Sequence, residues 1–186
     1  MTAEEARFRE SPWESLDPAA LRAFLEAAAK LWLAHDGLWF QSVERRHGIE
    51  EAIACDRECW ERFAPLEARR IMDLVDIAPD GGLPALERAL GYRLYSHLNV
   101  QRCEWPEPGR LIFRMVTCRV QEARRRKGLA DFPCREVGLV EYASFARTID
   151  ARIRTRCLSC PPDPASGEHA CAWEFTLDRD AETHAS

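Results

Sequence analysis

The stretch Ala151-Arg152-Ile153-Arg154-Thr155-Arg156-Cys157-Leu158-Ser159-Cys160-Pro161-Pro162-Asp163-Pro164, with Cys171-Ala172-Trp173-Glu174-Phe175-Thr176-Leu177 a few residues on, decides the reading of the fold. In the first arm Ile153, Thr155 and Cys157 alternate with Arg152, Arg154 and Arg156; in the second, Cys171, Trp173, Phe175 and Leu177 share one face. Successive side chains of a strand point to opposite faces, so both arms read as strands of one hairpin, each with an apolar side. Upstream, Leu98–Trp105 and Leu111–Thr117 are also strand-like, joined across Pro106, Glu107, Pro108 and Gly109 as a hairpin with a loop of about four residues. Between the hairpins, helices are predicted from about Arg119 to Lys127, stopping at Gly128, and over Arg135–Arg147 with Val137, Val140 and Phe145 inward.

The first half is helical. Asp17 followed by Pro18 reads as an N-cap with proline at the first helical position, and Leu21, Phe24, Leu25, Ala28, Leu31 and Trp32 recur at helical spacing. Gly37 is expected to bend or divide this helix, and the segment carrying Leu38, Trp39, Phe40 and Val43 to stop near Gly48. A third segment runs from Ile49 to Phe63. Pro65 then restarts the chain into a helix with Leu66, Ile71, Leu74 and Val75, and a short helix follows near Leu83–Leu90. The prediction is one α+β domain over residues 1–186: a helical N-terminal layer (1–90) packed on an antiparallel sheet of two hairpins with inserted helices (91–178), and a mobile tail (179–186).

At 186 residues with 31% charged side chains the chain suits one globular domain. No apolar run approaches the roughly 20 residues of a membrane span, because Glu26, Lys30 and Asp36 interrupt the most apolar stretch. The acidic start, Met1-Thr2-Ala3-Glu4-Glu5, lacks the apolar heart of a secretory signal, so the expected compartment is the cytoplasm. Charge is uneven: residues 102–156 are net basic between two net acidic flanks. The run Arg124-Arg125-Arg126-Lys127 reads first as a solvated helix face docking on the acidic N-terminal half, and second as a platform for an anion or RNA. Nucleic acid is not expected, since no recognition motif accompanies the run. The oligomeric state stays open.

In a reducing cytoplasm, eight cysteines favour metal or redox chemistry over disulfides. Cys157-Leu158-Ser159-Cys160 is a C-x-x-C knuckle stiffened by the prolines after it, and the hairpin brings Cys171 to the same loop mouth. Cys134, beside Pro133, is the first choice for a fourth thiolate, with Cys118 in reserve. Such a set suits zinc or, alternatively, an iron–sulfur cluster. A C-x-x-C redox pair is the remaining alternative. Cys55, Cys59 and Cys103 read as core packing.

Several polar residues fall on or beside apolar helix faces. His35 and Asp36 adjoin Trp32 and Trp39, Glu44 follows Phe40 by one turn, Asp56 lies between Ile53 and Trp60, and Glu67 precedes Ile71 by one turn. His35, Asp36, Glu44 and Asp56 are the candidate catalytic residues of a shared pocket, with Glu44 or Asp56 as base, His35 as acid or ligand, and Trp32, Trp39 and Trp60 as aromatic walls. The plainer alternative is caps and structural ion pairs. Phosphate loops, nucleophile elbows and zincin motifs are absent from the sequence, which removes those enzyme classes.

The run His35-Asp36-Gly37-Leu38-Trp39-Phe40 with Val43-Glu44, then Cys118-Arg119-Val120-Gln121-Glu122-Ala123-Arg124, Phe132-Pro133-Cys134, Glu141-Tyr142, Phe145-Ala146, Ile149-Asp150, Arg152-Ile153 and the C-terminal cysteine stretch resembles an uncharacterised bacterial and archaeal family of cytosolic proteins. That family is related to the L-2-amino-thiazoline-4-carboxylic acid hydrolase-like family. A looser similarity is to vinyl-reductase-like ligand-binding domains. The resemblance implies an α+β domain with a cysteine-bound metal and a small-molecule pocket. The expectation is therefore a metal-binding protein with a small ligand between helices and sheet, or a hydrolase of a cyclic amide or thiazoline-type substrate.

Overall fold

The computed structural model describes residues 12–163 and 167–178. The expected tail (179–186) and the chain start both lie outside them, apart from a short 3-10 turn at Pro12–Ser15. Among the described residues there are five α-helices and four strands: α1 Pro18–His47, α2 Ile49–Leu74, α3 Gly82–Leu90, β1 Gln101–Glu107, β2 Arg110–Met115, α4 Arg119–Arg126, α5 Arg135–Ile149, β3 Ile153–Ser159 and β4 Cys171–Leu177. This is the predicted α+β arrangement. No helix among them is long and apolar enough to cross a membrane.

Helix α1 begins as its sequence dictates. The Asp17 carboxylate accepts hydrogen bonds from the backbone N–H groups of Ala19 and Ala20, both at 2.8 Å, and Pro18 follows. It ends at Gly48, whose φ of 92° few other residues adopt. Two expected breaks do not occur. Gly37 lies inside α1, and the cost of about 1 kcal/mol for an interior glycine is offset by tertiary contacts on either side of it. Trp32 and Phe40 pack against the core there, and Glu44 pairs with Arg124 of α4. Likewise Pro65 sits within α2, where fully buried Ala64 and Ala68 hold both halves against the core. Packing along a shared partner outweighs the lost backbone hydrogen bond.

Helix α1 covers the molecule from one side, so only one of its faces is buried. Leu31 and Leu38 therefore stay 70% and 60% exposed, as does most of Trp39, contrary to their reading as core or pocket wall. Trp32 and Trp60 do meet, edge to face at 6.5 Å. Cys55 and Cys59 are exposed on α2 rather than packed, because the buried stripe of that helix runs through Ala52, Trp60, Ala64, Ala68 and Ile71. Cys103 is half-buried at the edge of the core.

The sheet order is β1-β2-β4-β3, antiparallel throughout, so the two hairpins join along β2 and β4. The first hairpin turns more tightly than predicted: Glu107 pairs with Arg110 across Pro108 and Gly109 (φ 82°), and an irregularity between Glu104 and Glu107 absorbs the remaining residues. Leu111, Phe113, Met115, Trp173, Phe175 and Ile153 are buried in the core, which α2 and α5 share. On β4, Glu174 is buried between Arg110 and Arg156. Burial opposes its charge, but the two guanidiniums outweigh that and hold the carboxyl below its usual range. Of the basic run, buried Arg124 pairs with Glu44, while exposed Arg125 pairs with Asp131, exposed Lys127 donates to Gln41, and Arg126 faces solvent.

Candidate functional site

Strand register brings the cysteines together. Met115 pairs with Cys171, which sets the start of β4 beside the segment leading to Cys118, and β3 runs on through an irregularity after Cys157 before Cys160 turns inward. The loop before α5 is locked by Gln121, whose side chain donates to the Phe132 carbonyl and accepts from the Phe132 N–H (2.7 and 2.8 Å). Cys134 then stands at the N-cap of α5, and the Arg135 N–H donates to the Pro161 carbonyl at 3.1 Å. These contacts fasten the helix start to the knuckle.

Cys160, 2% exposed, is the hub. Its Sγ lies 3.3 Å from that of Cys134, and its thiol also meets Cys171 and Cys157. Hydrogen bonding to Cys134 and Cys171, with burial, keeps the Cys160 thiol protonated well above the ordinary thiol range. Cys171 is lowered, first by the bond from Cys160 and, against burial, also by the Trp173 indole N–H 3.3 Å from its sulfur. Burial raises Cys157 despite nearby Arg135, and pushes Cys118, which stands beside the group, up to about 12.

The donor set is chemically that of a closed thiolate site, but its spacing is that of thiols touching one another. Arms of about 2.3 Å place tetrahedral sulfurs about 3.8 Å apart, wider than the 3.3 Å found here. Correspondingly, no group of three or more His, Cys, Asp or Glu among the described residues stands in a metal-binding arrangement.

The thiols form one wall of a cavity of about 420 Å³ between the helices and the sheet, lined by Cys118, Cys134, Cys160 and Cys171. Asp36, Asp56 and Glu141 also line it. Burial raises Asp36 against the pull of His35. Burial first, then the charges of Asp36 and Glu141, bring Asp56 up to about 7. Glu141 pairs with Arg93 at 2.7 Å, and Arg93 with Glu67 at 2.9 Å.

Of the residues singled out in the sequence, the cavity thus gathers Asp36 and Asp56. It does not gather the other two. His35 is on the exposed face of α1, and the Glu44 carboxylate receives both Arg124 Nη atoms at 2.8 Å, which hold it below its usual range as an ionised partner. Glu67 belongs to the Arg93 cluster. The sequence reading missed Glu141, Tyr142 and Tyr95 in the lining. Glu141 carried the same signal as Asp56, a carboxyl among the apolar positions Val137, Val140 and Phe145 of an amphipathic helix.

Gly138 fits the helix to the sheet beneath this cavity. A Cβ there would stand 2.6 Å from Cζ2 of the Trp173 ring, itself fully buried. Gly138→Ala is expected to lower stability by about 1–3 kcal/mol of overpacking, less up to about 1 kcal/mol of helix propensity. Urea denaturation followed by tryptophan fluorescence measures it, and an unchanged midpoint contradicts the close approach.

The chain belongs to the family of unknown function DUF6125, whose model matches residues 15–177. No curated protein and no solved structure matches it.

Proposed function

Because membership in that family assigns no activity, we propose from the site itself that the protein binds a small molecule in the cavity between helices and sheet, and a metal ion through Cys134, Cys157, Cys160 and Cys171. One observation carries this reading: the thiols of Cys134, Cys157 and Cys171, from a helix cap and two strand ends, meet around the buried Cys160 of the knuckle, and all of these but Cys157 line the cavity wall. Zinc is the metal expected of such a set, and an iron–sulfur cluster the alternative. In a four-thiolate site the metal neutralises the sulfurs and cross-links α5, β3, the knuckle and β4. Cys118 remains as a fifth thiol on the wall.

Protein purified without oxygen is expected to carry one equivalent of zinc, or to show an iron–sulfur chromophore. Cys160→Ser is expected to lose the metal, with a fall in thermal midpoint that chelator reproduces in the parent. A folded, metal-free protein indifferent to chelator overturns the metal reading.

A second reading, a hydrolase of a cyclic amide or thiazoline-type substrate, is favoured by Asp36 and Asp56 in the cavity, where Asp56 titrates near neutrality and so suits proton transfer. It carries with it the proposed kinship to thiazoline hydrolase-like proteins. Turnover of 2-amino-thiazoline-4-carboxylate, abolished in Asp56→Asn, supports this reading; its absence at high enzyme concentration removes it.

A further inference from the structure

The cavity has carboxyls that no cation among the described residues matches, Asp56 having only a hydrogen bond from the Trp60 indole. Asp36 and Asp56 are half-buried carboxyls on α1 and α2, and among the described residues neither forms an ion pair with a cationic side chain. The buried arginines nearby are committed elsewhere: Arg93 to Glu67 and Glu141, Arg124 to Glu44. Lys30, Arg126 and Lys127 also border the cavity but are exposed to solvent, and Arg119, half-buried in the lining, forms no ion pair with either acid and does not contribute to the electrostatics of Asp36 or Asp56. A second observation is independent of these acids. Tyr142 on α5 is 4% exposed and lines the same cavity, yet its hydroxyl has no hydrogen-bond partner among the described residues. That hydroxyl is also not among the buried polar atoms sealed off without a partner, so it opens on the cavity. The surfaces between are aromatic, with Trp60, Tyr95 and Trp173 in the lining.

Half-buried carboxyls without a counter-ion are costly, and aromatic faces attract cations. An ammonium group answers both, while an anion of the same shape meets repulsion. Trp60 and Tyr95 already accept one cation in this way, the Arg93 guanidinium at 5.5 and 5.3 Å from their ring centres. The volume matches the lower range of small-ligand pockets.

We propose that the cavity selects an organic ammonium compound with an apolar, ring-sized body, its nitrogen at Asp36 and Asp56 and a hydrogen-bonding group at the other end meeting the Tyr142 hydroxyl. The inference rests on the small-molecule reading above and is independent of whether the cysteines hold metal.

Calorimetric titration with three probes of one shape tests it: tyramine, the corresponding alcohol tyrosol, and 3-(4-hydroxyphenyl)propionate. Tyramine is expected to bind at least about tenfold more tightly than tyrosol, the difference that a single favourable charge contact supplies, and the propionate not at all. Asp36→Asn and Asp56→Asn, checked for folding by circular dichroism, are expected to remove the preference for the amine. Tyr142→Phe is expected to weaken tyramine but not 2-phenylethylamine. Equal binding of tyramine and tyrosol by the unaltered protein overturns the charge selection and leaves the pocket standing. Failure of all three probes at millimolar concentration overturns both.

Discussion

Arg93→Met is expected to destabilise the protein by about 3–5 kcal/mol. Arg93 is 2% exposed and lies between Glu67 of α2 and Glu141 of α5, whose side chains are themselves about nine-tenths buried. Nε donates to Glu67 at 3.0 Å, and the 2.7 Å approach of Nη2 to Glu141 is an ion pair out of line for a hydrogen bond. The guanidinium also lies against the rings of Trp60, Tyr95, Tyr142 and Phe145, nearest to Phe145 at 4.8 Å from its centre. Burial works against the charge of Arg93, but the two glutamates outweigh it and hold the guanidinium protonated above its ordinary range. Burial in turn raises Glu141 despite Arg93. Removing the cation leaves two carboxyls facing each other in the core. Denaturant unfolding measures the loss. The triple replacement Arg93→Met, Glu67→Gln, Glu141→Gln is expected to recover a large part of it, since most of the penalty is the stranded charge. An Arg93→Met protein as stable as the parent contradicts this account.

Asp56→Asn acts in the opposite direction. The folded protein holds the Asp56 proton up to about pH 7, against an ordinary value of 3.8, because burial and then the charges of Asp36 and Glu141 disfavour the carboxylate. Between these values the unfolded chain has released a proton that the folded protein still binds. Stability therefore falls as pH rises from about 4 to about 7, and the full penalty stands above that. Asparagine carries no such charge. The substitution is expected to raise stability by roughly 1–3 kcal/mol at pH 8, to change it little at pH 4, and to flatten the profile between. Thermal unfolding across that range checks it; parallel profiles for parent and variant exclude Asp56 as the titrating group. If the cavity binds ammonium compounds, the same substitution trades affinity for stability, as binding sites built from unmatched charge do.

The cysteine set was legible because a C-x-x-C knuckle and the hairpin pattern around it are local. Alternation in 153–157 and 171–177 placed Cys157, Cys160 and Cys171 at one end of a hairpin without any knowledge of the other strands. Cys134 was a choice among loop cysteines, and its contact with Cys160 depends on α5 starting where Arg135 reaches the Pro161 carbonyl. The polar pocket was half legible. Helical spacing turned Asp56 inward, but the same pattern on α1 did not show which of His35, Asp36 and Glu44 would face the cavity, because the apolar residues of that helix spread over more than one face.

By itself the sequence determined what depends on near neighbours along the chain: the capped start of α1, the two hairpins, the helices between them and the knuckle. Capping, side-chain alternation and turn chemistry act over a few residues and leave their mark in spacing. Tertiary structure decided that α1 and α2 run unbroken through Gly37 and Pro65, that the hairpins join along β2 and β4, and that Arg93 closes a charge cluster between helices. It also decided that thiols and carboxyls share one cavity. Each of these is a balance between a local cost and contacts made by residues far apart in the chain, and only the packed molecule brings both sides of that balance together.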